Sequence, residues 1–208
     1  MTSNKLSLLQ QAASLKKEQI NLPDSAQLQE ALLSVEKSAK KEKKHYNFSD
    51  LVGCWNLRFI TGTKKSRKKA GIVLGVGRYI PQFIKIQITY EKDSISVDTG
   101  RVTNSVRIAF LNLSLSGPVK FLSQKNILAF DFTSLTAKIF GWKIYDGYIS
   151  NGEVRDKEFY QKKLSEQAFF SYFLIEENAS RSHAVRLIAA RGKGGGLALW
   201  GKNLKNEE

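Results

Sequence analysis

The chain has 208 residues, with 33 Lys and Arg against 19 Asp and Glu for a formal charge of +14, and 42% of it is hydrophobic. This length suits one globular domain with an appendage, and the apolar share is enough for a core. The single cysteine, Cys54, excludes an internal disulfide and a thiolate metal cluster, and no apolar run approaches the roughly 20 residues a membrane-crossing helix needs.

From about Ser3 to Ile20, apolar side chains recur at Leu8, Ala12 and Leu15, the spacing of a helix, with Ser3 or Ser7 as N-cap. Lys16, Lys17 and Glu18 follow soon after Leu8-Leu9, so a signal-peptide core is not expected. Any membrane contact is then expected from the side. Asn21-Leu22-Pro23 breaks the helix. A second begins at Asp24, a capping residue, with Leu28, Leu32, Val35 and Ala39 on one stripe. Lys37 to Lys44 is a basic run at its end, where cations suit the helix dipole. The boundary with the main domain is placed here: a helical segment and linker over 1–46, a β domain over 47–202 and a tail over 203–208.

Leu51-Val52-Gly53-Cys54-Trp55-Asn56-Leu57-Arg58-Phe59-Ile60 opens that domain. Trp55, Leu57 and Phe59 alternate with Asn56 and Arg58, the pattern of a strand buried on one face. Gly53 lets backbone approach ahead of the bulky indole. Lys64, Lys65, Arg67, Lys68 and Lys69 then form the densest basic cluster, in a loop, with Gly71, Gly75 and Gly77 beyond it. Ile84, Ile86, Ile88 and Tyr90 mark a strand, and Ile95 with Val97 begin another before a turn at Thr99-Gly100. Val102, Val106, Ile108 and Phe110 lie in one phase and Leu111, Leu113 and Leu115 in the other, the mark of a bulge or corner before Gly117-Pro118 ends the strand.

Leu128, Phe130 and Phe132 alternate around an outward Asp131. Asp146-Gly147 and Asn151-Gly152 are hairpin signals. Residues 155–167 are polar. Ala168 to Ile175 is apolar on both faces, so a second layer, such as the leading helices, should cover it. The last two strands flank the glycine-rich turn Arg191–Gly196. About eight short strands result, which suits a sandwich or a barrel, and a closed barrel of this size has room for one small ligand.

Catalytic chemistry finds little support. His45 and His183 lack a nucleophile motif, and the metal-ligand spacings fit no familiar site. No cofactor fingerprint is present: Gly75-Val76-Gly77 meets Ile80 where a dinucleotide loop needs glycine. A catalyst would need an acid or base such as Asp146, Glu153 or Asp156. The charge favours anionic partners, but nucleic acid is disfavoured because most aromatics fall at inward positions.

On these residues the chain resembles the plastid lipid-associated proteins, or plastid fibrillins. The likeness rests on two leading helices, the element Leu51-x-Gly53-x-Trp55-x-Leu57, the strand with Gln82-Phe83-Ile84-Lys85-Ile86, and the endings Ala189-Ala190-Arg191-Gly192 and Gly196-Leu197-Ala198-Leu199-Trp200. The resemblance implies a lipocalin-like antiparallel β-barrel preceded by two α-helices. It would bind a lipid, prenyl quinone or carotenoid without catalysis, peripherally on thylakoids or lipid bodies, on the cytoplasmic or stromal side. It also implies a structural role for Arg191, packed over the opening Trp.

The expected cavity residues are Trp55, Phe59, Ile86, Ile88, Phe130, Phe132 and Tyr172, chosen by alternation. Lys64, Lys65, Arg67, Lys68 and Lys69 are the expected contacts to an anionic membrane surface. The rival expectations are a scaffold with a filled barrel and a protein partner, or a chromophore lyase-like barrel enzyme.

Overall fold

The structure is a computed structural model that describes residues 2–14, 22–62, 77–94, 96–176 and 185–203. The basic cluster at Lys64, Lys65, Arg67, Lys68 and Lys69 lies outside the described residues, as do Leu15, Ile20, Ile95 and His183.

Three helices lead the chain: α1 (Thr2–Ala13), α2 (Ser25–Glu42) and the single turn α3 (Phe48–Leu51). Strands follow as β1 (Gly53–Ile60), β2 (Arg78–Tyr79), β3 (Ile84–Lys92), β4 (Thr99–Ile108), β5 (Leu111–Leu122), β6 (Ile127–Phe130), β7 (Ser134–Ile139) and β8 (Trp142–Tyr148). After helix α4 (Gly152–Glu158) come β9 (Ala168–Ile175), β10 (Val185–Gly192) and β11 (Leu197–Asn203). Hydrogen-bonded neighbours run β4-β3-β1-β11-β10-β9-β6-β5, and β4 also pairs with β5. These eight strands therefore close into an antiparallel barrel, with α1, α2 and the short α3 ahead of it in the chain. β7 and β8 extend from β5, and β2 pairs with β1.

Contacts group the chain into two units, one of Met1–His45, Leu57–Ile80 and Ser171–Glu208, the other of Tyr46–Asn56 and Pro81–Phe170. In the first, the stripe forecast on α2 is buried at Leu28, Leu32 and Val35 and partly buried at Ala39. Leu28, Leu32 and Val35 join Leu9, Ala12 and Ala13 of α1 in a cluster with Phe59, Phe173, Leu187, Ala189, Leu197 and Leu199. The helices thus share a core with the closing strands. The Asp24 carboxylate accepts the Ala26 N–H at 2.8 Å and the Gln27 N–H at 3.3 Å, which caps α2. Phe173 confirms that β9 needs a cover on this side.

Glu36 of α2 is buried and receives Arg191 of β10, whose Nε donates to Oε1 at 2.8 Å while Nη2 donates to Oε2. Arg191 also donates to the Gly195 carbonyl at 2.7 Å, so its structural role is to fasten α2 to the β10–β11 turn. Burial pushes the Glu36 pKa up, but hydrogen bonds from Arg191 and Lys40 outweigh this and hold it below the usual value.

In the second unit, Gly53 starts β1 at φ 118°, a backbone state open to glycine. The fully buried Trp55 donates its indole N–H to the Leu51 carbonyl at 2.7 Å, and Phe48 packs against Tyr90 and Phe121.

Five expectations about turns and bulges are corrected. The phase switch at Ile108–Leu111 is a two-residue hairpin at Ala109-Phe110, because pairing Ile108 with Leu111 swaps odd for even positions. Thr99-Gly100 and Gly117-Pro118 lie within strands, and the turn ahead of β4 falls at Val97-Asp98 instead. Asp146-Gly147 is inside β8, since Asp146 is held across the ladder by Thr136 and the turn comes earlier, at Phe140-Gly141. Asn151 (φ 56°) leads into α4, where a side chain at Gly152 would strike the Thr133 carbonyl.

Because Glu36 is held ionised in the fold, its contribution is full at neutral pH and fades as pH falls through the folded pKa. Glu36→Ala should cost about 2–3 kcal/mol at neutral pH. In urea unfolding, the advantage of wild type over Glu36→Gln should shrink on acidification below the normal carboxylate range.

Candidate functional site

The second unit carries a sheet with two unlike faces, and its residues can be read row by row from the ladder. In an antiparallel ladder, directly paired residues project to the same side. One row joins Ile84, Ile108, Leu111, Ile139 and Trp142 across β3, β4, β5, β7 and β8. The next joins Ile86, Val106, Leu113, Ala137 and Tyr145. A third starts one strand earlier and joins Trp55, Ile88, Asn104, Leu115, Leu135 and Gly147. Apart from Asn104 and the glycine, these rows are apolar or aromatic.

Burial falls along this face. Trp55 and Ile88 are buried, whereas Ile108, Leu113, Tyr145 and Trp142 are exposed, Trp142 to 79%. The gradient ends at two adjacent hairpin turns. The Phe140 N–H donates to the Phe110 carbonyl at 2.9 Å, and the two rings stack at 4.6 Å and 14°. Phe140, at 73% exposure, is held at φ 49°, a left-handed backbone that costs a bulky side chain energy. Asn or Gly would occupy that position more cheaply.

The opposite face is polar. Lys85, Arg107, Asn112, Lys138 and Lys143 form a row at the turn end, and Gln87, Ser105, Ser114, Thr136 and Asp146 the row behind it. Lys143 is tied to Asp146 at 2.7 Å. Among the described residues, Lys85, Arg107 and Lys138 have no salt-bridge partner. A depression of about 410 Å³ opens beside the stacked rings, lined by Arg107, Asn112, Lys138, Phe110 and Phe140. The Asn112 Oδ1 is buried there with no hydrogen-bond partner among the described residues.

Register places Trp55, Ile86, Ile88 and Phe130 on one face, the last through its pairing with Val119. Phe132 lies just beyond β6, with its ring 5.2 Å from Phe130. The other two cavity candidates belong to the first unit. Phe59 is packed under the helices, and Tyr172 lies 6.4 Å from Trp200.

Each proposed acid is engaged. Asp146 accepts from Lys143 and Thr136, and Glu153 from Lys157; these hydrogen bonds lower both pKa values. Asp156 accepts from Arg101 at 3.0 Å and Thr133 at 2.7 Å, and Asp131 is gripped by Arg155. Among the described residues, no group of three or more His, Cys, Asp or Glu converges to hold a metal, and no helix is long and apolar enough to cross a membrane.

Sequence reading missed the aromatic turns. Phe110 falls in one phase of an expected strand, and the hairpin is expected at Asp146-Gly147, beyond Trp142. The usable signal was Phe140-Gly141, a glycine between two alternating runs. Arg58, expected on the wet side of β1, departs from that pattern: its Nε and Nη2 are buried without partners among the described residues, and burial lowers its pKa.

No family model matches the chain, and no curated protein matches it. Among solved structures it is similar to the redesigned β-barrel b11L5F_LGL, at 11% identity over 74% of this chain and 91% of that one, with a TM-score of 0.30. It is also similar to the redesigned β-barrel mFAP1 bound to DFHBI, at 10% identity over 74% and 95%, with a TM-score of 0.29. The barrel assignment rests on the chain's own strand pairing.

Phe140→Asn should change unfolding stability by no more than about 1 kcal/mol, because relief of the left-handed backbone offsets the lost ring stack. Trp142→Ser should be near neutral, within about 0.5 kcal/mol, as expected for an exposed position. Urea denaturation of both variants checks this; a large loss would mean that these rings hold the fold together.

Proposed function

We propose that this protein is a non-enzymatic, lipocalin-like carrier related to the plastid lipid-associated proteins. It binds a hydrophobic small molecule, a lipid, prenyl quinone or carotenoid, at the surface of thylakoid membranes or lipid bodies. The observation that carries this reading is the apolar sheet face running from the buried Trp55 to the exposed Trp142. Soluble monomers rarely leave so continuous an apolar surface in water without a use for it. A ligand covering about 200 Å² of it would gain about 5 kcal/mol before the costs of association. The barrel fold and the Gly53-x-Trp55 opening support the kinship. The engagement of Asp146, Glu153 and Asp156 in ion pairs and hydrogen bonds favours binding over acid–base chemistry.

Lipids and pigments extracted from protein purified under mild conditions and identified by mass spectrometry test this reading. One hydrophobic species near equimolar with the protein is expected. Leu113→Glu, which puts a charge in the middle of the apolar rows, should weaken uptake by about tenfold or more. Folded wild-type protein that carries no such molecule, and takes up none when quinone or carotenoid is added, would favour a scaffold with a filled barrel.

A further inference from the structure

We infer that the turn end of β4–β5 and β7–β8 docks on an anionic lipid bilayer. Phe110, Phe140 and Trp142 enter the boundary between headgroups and acyl chains, while Lys85, Arg107 and Lys138 meet headgroup phosphates. The inference rests on the membrane part of the proposed function and assigns it a surface other than the Lys64–Lys69 cluster.

Three observations converge here. The two turns are joined through the Phe140 N–H and the Phe110 carbonyl, so the rings form one projecting group. Aromatic side chains are favoured at membrane interfaces, where an apolar body meets a wet rim. The turn also keeps a bulky ring in a left-handed backbone that Asn or Gly would fill more cheaply, and strain of this kind marks functional positions.

Charge selects the occupant. The basic row lies on the polar side of the same turns, and its Lys85, Arg107 and Lys138 have no salt bridge among the described residues. Elsewhere in this unit, Asp131, Asp156 and Glu153 each have a basic partner. The acid nearest the tip, Asp146, is tied to Lys143. The turn end is therefore aromatic at its tip and positive behind it, on a chain of net charge +14. The depression between Arg107, Lys138 and the stacked rings offers space for a phosphate-bearing headgroup.

The tryptophans make the test direct. Of the three in the chain, Trp55 and Trp200 are buried and Trp142 is exposed. Full-length protein is mixed with vesicles of phosphatidylcholine alone, or of phosphatidylcholine with phosphatidylglycerol, and followed by sedimentation and tryptophan emission. Wild type should sediment with the anionic vesicles, shift its emission to the blue and be quenched by brominated acyl chains. Trp142→Phe should lose the shift and the quenching while still sedimenting.

Replacing Lys85, Arg107 and Lys138 together by Gln should lower partitioning by about a hundredfold at low salt, with an unchanged near-UV spectrum as the folding control. If wild type sediments but its emission is unchanged and the Gln variant binds equally well, this docking end is wrong and the membrane reading stands. If wild type ignores both kinds of vesicle, the docking end and the membrane part of the proposed function fail together. Extraction then judges the ligand part alone.

Discussion

Cross-strand register is the constraint on which the rest depends. Trp55 opposes Ile88, and that one pairing sets which side of β3, β4, β5, β7 and β8 is apolar. A slip of one residue anywhere along the ladder would exchange the Ile and Leu rows for the Lys, Ser and Thr rows. At the buried end, such a slip would set polar neighbours such as Asn56 and Gln87 where Trp55 and Ile88 now lie. Correct register is therefore heavily favoured, and the same alternation that stabilises the sheet also creates its apolar face.

The sheet does not finish burying what it sorts. Near Trp55, α3 and the neighbouring strands seal the face, with Phe48 packed on Tyr90 and Phe121. At the other end, β7 and β8 extend beyond the closed ring, and their apolar residues find fewer neighbours. Folding alone does not ask for Trp142 at an open turn or for Phe140 with a left-handed backbone. These choices work against solubility and local backbone preference, which is why they point to something outside the fold that covers them.

The helical lead solves a different problem. β9, β10 and β11 carry Phe173, Leu187, Ala189, Leu197 and Leu199 on a face that α1 and α2 cover. Glu36 and Arg191 add direction to an otherwise greasy contact. A paired and hydrogen-bonded buried carboxylate is satisfied in one arrangement only, so it fixes where α2 lies along β10. Arg191, which the family likeness would pack over the opening Trp, is engaged here with the Glu36 carboxylate and the Gly195 carbonyl.

Local pattern was enough for much of this. Period two in Trp55–Phe59 and Ile84–Tyr90, the capping of α2 by Asp24, and the glycine-rich turn before Leu197 depend on neighbours in sequence, so they could be read directly. Turn positions could not. Asp146-Gly147 has hairpin chemistry, yet ladder pairing with β7 overrides it, and the two-residue turn at Ala109-Phe110 looks like a bulge until its partners are known. The basic row and the apolar rows are likewise assembled from residues tens of positions apart. The sequence by itself determined which residues alternate and which helices are amphipathic, because these follow from the period of the backbone. Only the tertiary structure decided which alternating runs lie side by side, because pairing depends on contacts between distant segments, and it alone shows where the apolar face is left open.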